Sequence, residues 1–65
     1  MERCTRQITR EQYMRGVQNR GYVVDSDKPE IFTEAERLGY GVYSPMVQEK
    51  DGEFFVTYLL GSTCD

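Results

Sequence analysis

The sequence predicts an α+β fold: two short helices packed on an antiparallel β-hairpin, with room for a short third strand at Tyr22-Val24. Three observations carry this reading. The run Thr9 to Gly21 has both ends of a helix written into it. The run Asp27 to Gly39 repeats the same grammar eighteen residues later. From Gly41 onward, apolar residues crowd into two runs separated by Asp51-Gly52, the dipeptide of a tight hairpin turn.

The first helix begins at Thr9, whose hydroxyl can take a free backbone N–H. Gln12, three residues on, completes a capping box, and Ile8 with Tyr13 forms a hydrophobic staple across the cap. Tyr13, Met14 and Val17 then make one apolar face. Gly21 suits the left-handed residue that ends a helix, and Tyr22 beyond it is expected to fold back on Val17. In the second helix Asp27 takes the place of Thr9 and Glu30 that of Gln12. Pro29 sits in the first turn, where its missing N–H costs nothing. Ile31, Phe32 and Ala35 are its apolar positions, and Gly39 its stop. Both "RGY" and "LGY" therefore read as helix stops. A glycine loop that cradles phosphate should open a helix rather than close one. Two such units are too few for a stacked repeat.

The hairpin "VYSPMVQEKDGEFFVTYLLG" admits two registers. A two-residue loop sets Val47 opposite Val56 and Tyr43 opposite Leu60. A three-residue loop sets Val47 opposite Phe55, Tyr43 opposite Leu59 and Glu49 opposite Glu53, a like-charge pair that is unfavourable. A one-residue slip exchanges the two faces of a strand, so the buried face stays open at this point. Pro45 places the first strand at an edge or on a bulge. The second strand is apolar on both faces, with Phe54, Val56, Tyr58 and Leu60 on one and Phe55 and Leu59 on the other.

At 65 residues the chain makes one domain. Residues 8-65 are assigned to it, and residues 1-7 to a flexible basic arm. A domain this small buries only ~60% of the surface of its unfolded chain. A core stability of ~3–5 kcal/mol is typical of this size. No apolar run approaches the ~20 residues of a membrane span, and "MERCTRQ" lacks the apolar core of a secretory signal. The expected location is the cytoplasm. There Cys4 and Cys64 are expected as thiols, although a bond between them would close nearly the whole chain.

Charge is uneven. Residues 1–20 carry five arginines against two glutamates, a net +3, and residues 21–65 carry three cations against nine acids, a net −6. The arm, through Arg3, Arg6 and Arg10, is the candidate contact for nucleic acid. Against that reading, the second helix is acidic and would be repelled by phosphates. The Gly21–Asp27 connection is also longer than the turn of a helix-turn-helix motif.

Catalytic signals are absent. The chain has no histidine, and Cys64 stands beside an acidic residue, which raises a thiol's pKa and weakens it as a nucleophile. "DSDKPE" lacks the ligands and the glycine of a calcium loop, and two cysteines without histidine do not make a zinc site. No catalytic, metal or cofactor residue is assigned. Surface aromatics remain, with Tyr43, Phe54 and Tyr58 as the candidate partner surface.

From Ile8 onward the chain resembles small uncharacterised proteins of gut Firmicutes and their phages or mobile elements. The resemblance rests on the capped "TREQY" helix, "ERLGYGVY", the "KDGE" turn and the closing "GSTCD". It implies a bacterial cytoplasm and an accessory role, such as inhibiting or modulating a host protein, and carries over no site residue. The function expected from all this is a non-enzymatic protein-binding module, accessory or inhibitor-like, acting on a protein partner or on its own copies. The alternatives are a nucleic-acid binder using the basic arm and first helix, and a small-ligand-binding protein.

Overall fold

The computed structural model describes residues 2–33 and 40–62. Three strands, β1 (Glu2–Gln7), β2 (Tyr40–Lys50) and β3 (Glu53–Ser62), form one antiparallel sheet in the order β1-β3-β2. Helix α1 (Arg10–Gln18) and the short helix α2 (Lys28–Ile31), entered through a 3-10 turn at Asp25–Asp27, accompany the sheet. The α+β class is as expected, but the hairpin is two strands of a three-stranded sheet.

The third strand comes from the segment read as a basic arm. Residues 2–7 pair with β3 from Glu2↔Leu60 to Gln7↔Phe55. "ERCTRQ" has no apolar alternation because an edge strand is held by its ladder more than by its side chains. The expected strand at Tyr22-Val24 is reduced to one bridge, Tyr22↔Met46. Two hydrogen bonds frame it, Val23 N–H to Pro45 O and Val47 N–H to Gly21 O, each 2.8 Å.

Both hairpin registers are realised, one on each side of a bulge. Asp51 (φ 54°) and Gly52 (φ 81°) close a two-residue turn of the I′ kind, the form that matches strand twist. Val47 accordingly faces Val56, and Lys50 rather than Glu49 faces Glu53. Ser44 and Pro45 then stand together opposite Tyr58, and beyond them the register has shifted, so Tyr43 faces Leu59. Pro45 thus lies both on a bulge and in an edge strand, where its missing N–H does least harm.

Helix α1 keeps its capping box. Gln12 N–H reaches Thr9 Oγ1 at 3.1 Å, and Thr9 N–H reaches Gln12 Oε1 at 2.9 Å. The buried side is not the expected one. Gln12 and Gly16 are buried and Tyr13 half-buried, whereas Met14 and Val17 lie exposed. The close approach of the helix to β2 sets this rotation: a Cβ built at Gly16 would come 2.6 Å from Val47 Cγ1. The stop is a Schellman turn displaced by one residue. Arg20 (φ 60°) holds the first left-handed position, Gly21 has positive φ (90°) as expected, and its N–H returns to Gly16 O at 2.8 Å. Tyr22 does not shield Val17; both remain over 40% exposed, and Tyr22 joins the sheet edge instead.

The second helix is much shorter than its sequence pattern. It ends at Ile31, and Phe32 is extended (φ −109°, ψ 141°). Extension carries the Phe32 ring, 2% exposed, edge-on against Tyr58 with centroids 4.9 Å apart. Burial of one large ring outweighs the few tenths of a kcal/mol per residue by which helix propensity would favour continuation. Ala35 and the expected stop at Gly39 lie outside the described residues.

Asp27 caps nothing with its side chain. It is 4% exposed and forms a two-pronged ion pair with Arg15, Nε to Oδ2 at 2.9 Å and Nη2 to Oδ1 at 2.8 Å. A buried carboxylate requires such a partner. The hydrogen bond to Asp27 holds the Arg15 pKa above its ordinary value. The pair ties α1 to the turn before α2. Ile8, Val23, Ile31, Phe32, Val56 and Tyr58 form the core between these elements and the sheet.

The Gly16 contact gives a direct stability test. Gly16→Ala should lower stability by ~1–2 kcal/mol in urea unfolding, although alanine favours helix, because crowding against β-branched Val47 outweighs propensity. Adding Val47→Ala should recover part of the loss attributable to crowding.

Candidate functional site

The sheet has two faces, and the register assigns each residue to one of them. The inner face carries Cys4 and Arg6 from β1, Val42 and Val47 from β2, and Phe54, Val56, Tyr58 and Leu60 from β3. The helices pack here. The outer face carries Arg3, Thr5 and Gln7, then Phe55, Thr57 and Leu59, then Tyr43, Met46 and Gln48. No described helix covers it.

The outer face is ordered in rows. Arg3, Leu59 and Tyr43 form one, and Gln7, Phe55 and Gln48 another. Between them Thr5, Thr57 and Met46 are extended by Tyr22 across the edge bridge. Its apolar and aromatic residues, Leu59 and Phe55 on β3 and Tyr43, Met46 and Tyr22 towards the β2 edge, surround Thr57, and the polar side chains of β1 flank them. Tyr22, Tyr43 and Met46 are each 42% exposed. A side chain at Gly41 would collide with the Tyr43 ring, so glycine there gives that ring its place. Gln48 Nε2 donates to Thr57 Oγ1 at 3.0 Å, bracing the middle of the face. Charge is sparse and mixed: Arg3 at one side, and Lys50 opposite Glu53 near the turn.

A groove of about 240 Å³ opens beside the bulge, lined by Arg3, Ser44, Met46, Thr57, Tyr58 and Leu59. It is smaller than the ~300–1,000 Å³ usual for small-molecule sites. A second depression, about 440 Å³, lies between β1 and the helices, with Arg6, Gln12 and Glu30 in its wall. Among the described residues, no three acidic or cysteine side chains gather as a metal site would require. No described helix is long and apolar enough to cross a membrane.

The residues singled out from the sequence are dispersed. Tyr43 lies on the open face. Phe54 lies on the other, its ring 4.8 Å from that of Tyr13, and Tyr58 is in the core at 4% exposure. These three do not make one surface. The arginines also separate. Arg3 is on the open face, Arg6 turns inward to donate to Ile31 O beneath α2 with its guanidinium 6.0 Å from the Tyr58 ring centre, and Arg10 starts α1. Cys4 is a half-buried thiol, and Cys64 lies outside the described residues. Sequence reasoning missed Met46, Phe55, Leu59 and Tyr22 as one surface. The available signal was Thr57, which interrupts the odd-numbered apolar set of β3 and marks it as the wetter face.

Comparison with protein-family models, curated proteins and solved structures returns no match.

The two faces should respond differently to truncation. Tyr58→Ala should cost ~3–5 kcal/mol, enough to unfold a domain of this size, whereas Tyr43→Ala should change stability by under ~1 kcal/mol. Urea unfolding followed by far-UV circular dichroism reads both.

Proposed function

We propose that this chain is a non-enzymatic protein-binding module, accessory or inhibitor-like, of bacterial or phage origin. The origin rests on the sequence resemblance alone. The binding role rests on one observation: a sheet face that carries Tyr22, Tyr43, Met46, Phe55 and Leu59 and is left uncovered by the described helices. An apolar sheet surface of this kind is the usual mark of a partner site. The partner that fits is a protein surface of apolar side chains and low net charge. Tyrosine and methionine suit such a contact, since each is amphipathic or adaptable.

Nucleic acid fits less well. The protein is acidic overall, at −3, and the face offers few cations to neutralise phosphates. Arg3, Arg6 and Arg10 do not share a surface. The aromatic rings alone could stack bases, but a single-strand platform also needs a positive track.

The test is capture of a partner from bacterial lysate by tagged protein, with and without nuclease, comparing two double variants. Tyr43→Ser/Met46→Ser should abolish nuclease-resistant capture with the fold intact. Met14→Ser/Val17→Ser, on the exposed side of α1, should leave it unchanged. Capture that disappears with nuclease, or that ignores the first pair of changes, would refute the proposal.

A further inference from the structure

We propose that the groove beside the bulge receives the last residue of a partner chain, with the terminal carboxylate on Arg3 and an aliphatic side chain between Met46 and Leu59. The inference rests on the open-face reading and names the part of the partner that the face takes.

The register explains why a hollow forms there. Ser44 (φ 52°) and Pro45 have no partners in the β2–β3 ladder, and the register shifts across them. A bulge bends its strand and increases the local twist. Beside this bend β3 presents Thr57, a short side chain between the larger Phe55 and Leu59 of the same face. The groove of about 240 Å³ lies over Thr57, with Met46 to one side and with Leu59 and its cross-strand partner Arg3 to the other.

The lining is of two kinds. Met46 and Leu59 are apolar, and Arg3, Ser44 and Thr57 supply donors. Arg3 is exposed, and its guanidinium is a planar fork that matches a carboxylate. Among the described residues, no acid pairs with it. Thr57 Oγ1 already accepts from Gln48 Nε2 at 3.0 Å, which leaves its O–H to donate. None of the described lining residues is acidic. Glu2, next to Arg3 in the chain, belongs to the other face by strand alternation. The groove therefore selects an anion with an apolar body.

Size narrows the choice further. The volume of about 240 Å³ would hold roughly eight waters at ~30 Å³ each, room for one residue rather than a drug-sized molecule. A mid-chain aspartate or glutamate brings a carboxylate without an aliphatic branch to lie on Met46 and Leu59. A terminal valine, leucine or isoleucine carries both groups on one Cα. Capture of a chain-end carboxylate is a recurring mode of peptide recognition. The residues before it would then cross the apolar part of the same face, past Tyr43 or Tyr22.

The experiment titrates the full chain, methyl-labelled at methionine and leucine, with hexapeptide pools and follows the methyl signals by NMR. The last residue of each pool is valine, leucine or isoleucine, the others are randomised, and each pool is made as the free acid and as the terminal amide. The free acids should shift the Met46 and Leu59 signals and bind about tenfold tighter than the amides. In Arg3→Gln, an exposed position on an edge strand, the signals should keep their dispersion and the acid–amide difference should vanish. Isovalerate, a free carboxylate with the same branch, should bind about tenfold more weakly than the acid pools, because it lacks the residues that cross the face. Equal binding of acids and amides, an acid preference that survives in Arg3→Gln, isovalerate binding as tightly as the acid pools, or unmoved Met46 and Leu59 signals would each overturn the proposal. Loss of lysate capture in Tyr43→Ser/Met46→Ser, together with equal binding of acids and amides, would overturn this inference alone and leave the open-face reading standing.

Discussion

Strand β3 is hydrogen-bonded along both edges, to β1 on one side and β2 on the other, and its inner side chains carry the core. Val56 is fully buried, and Tyr58 receives the Phe32 ring. Much else follows from that position. Phe32 leaves the helical path to reach Tyr58. Arg6 turns under α2 above the same ring. Helix α1 lies close enough to the neighbouring strand that only glycine fits at position 16. The described helices close one side of this strand and leave its other side facing outward.

The local grammar of the sequence was readable where the controlling interactions are local. The Thr9–Gln12 cap spans one helical turn, and the Asp51-Gly52 turn needs only two positive φ values. Both appear as written. The bulge at Pro45 was legible as well, because proline lacks the N–H that an unbroken ladder would use. The register ambiguity had a simple resolution: each alternative holds on one side of the bulge.

What the sequence did not disclose depends on distant residues. β1 is a strand because β3 offers it an edge, and nothing within "ERCTRQ" records that. Asp27 has the type and position of a cap, but Arg15 of the preceding helix, twelve residues back, takes its carboxylate. Phe32 fits a helical stripe until the core claims its ring. The candidate site was hidden for the same reason. Tyr43, Phe54 and Tyr58 are alike as residues, and only the pairing register separates the exposed ring from the covered and buried ones. Partner identity is further removed, since the face presents shape and apolarity without a reactive group.

The pairing of Glu2 with Leu60 also bears on how the molecule is assembled. During synthesis β1 is made well before the strand it joins, whereas β2 and β3 are separated by a two-residue turn and can zip as soon as both have emerged. Closing a short loop costs less chain entropy than closing one that spans nearly the whole domain. The hairpin and the first helix are thus the early-forming parts, and β1 docks late. Until β3 has been made, β1 waits unpaired in the nascent chain, and the length of that wait is set by translation rather than by the intrinsic speed of pairing.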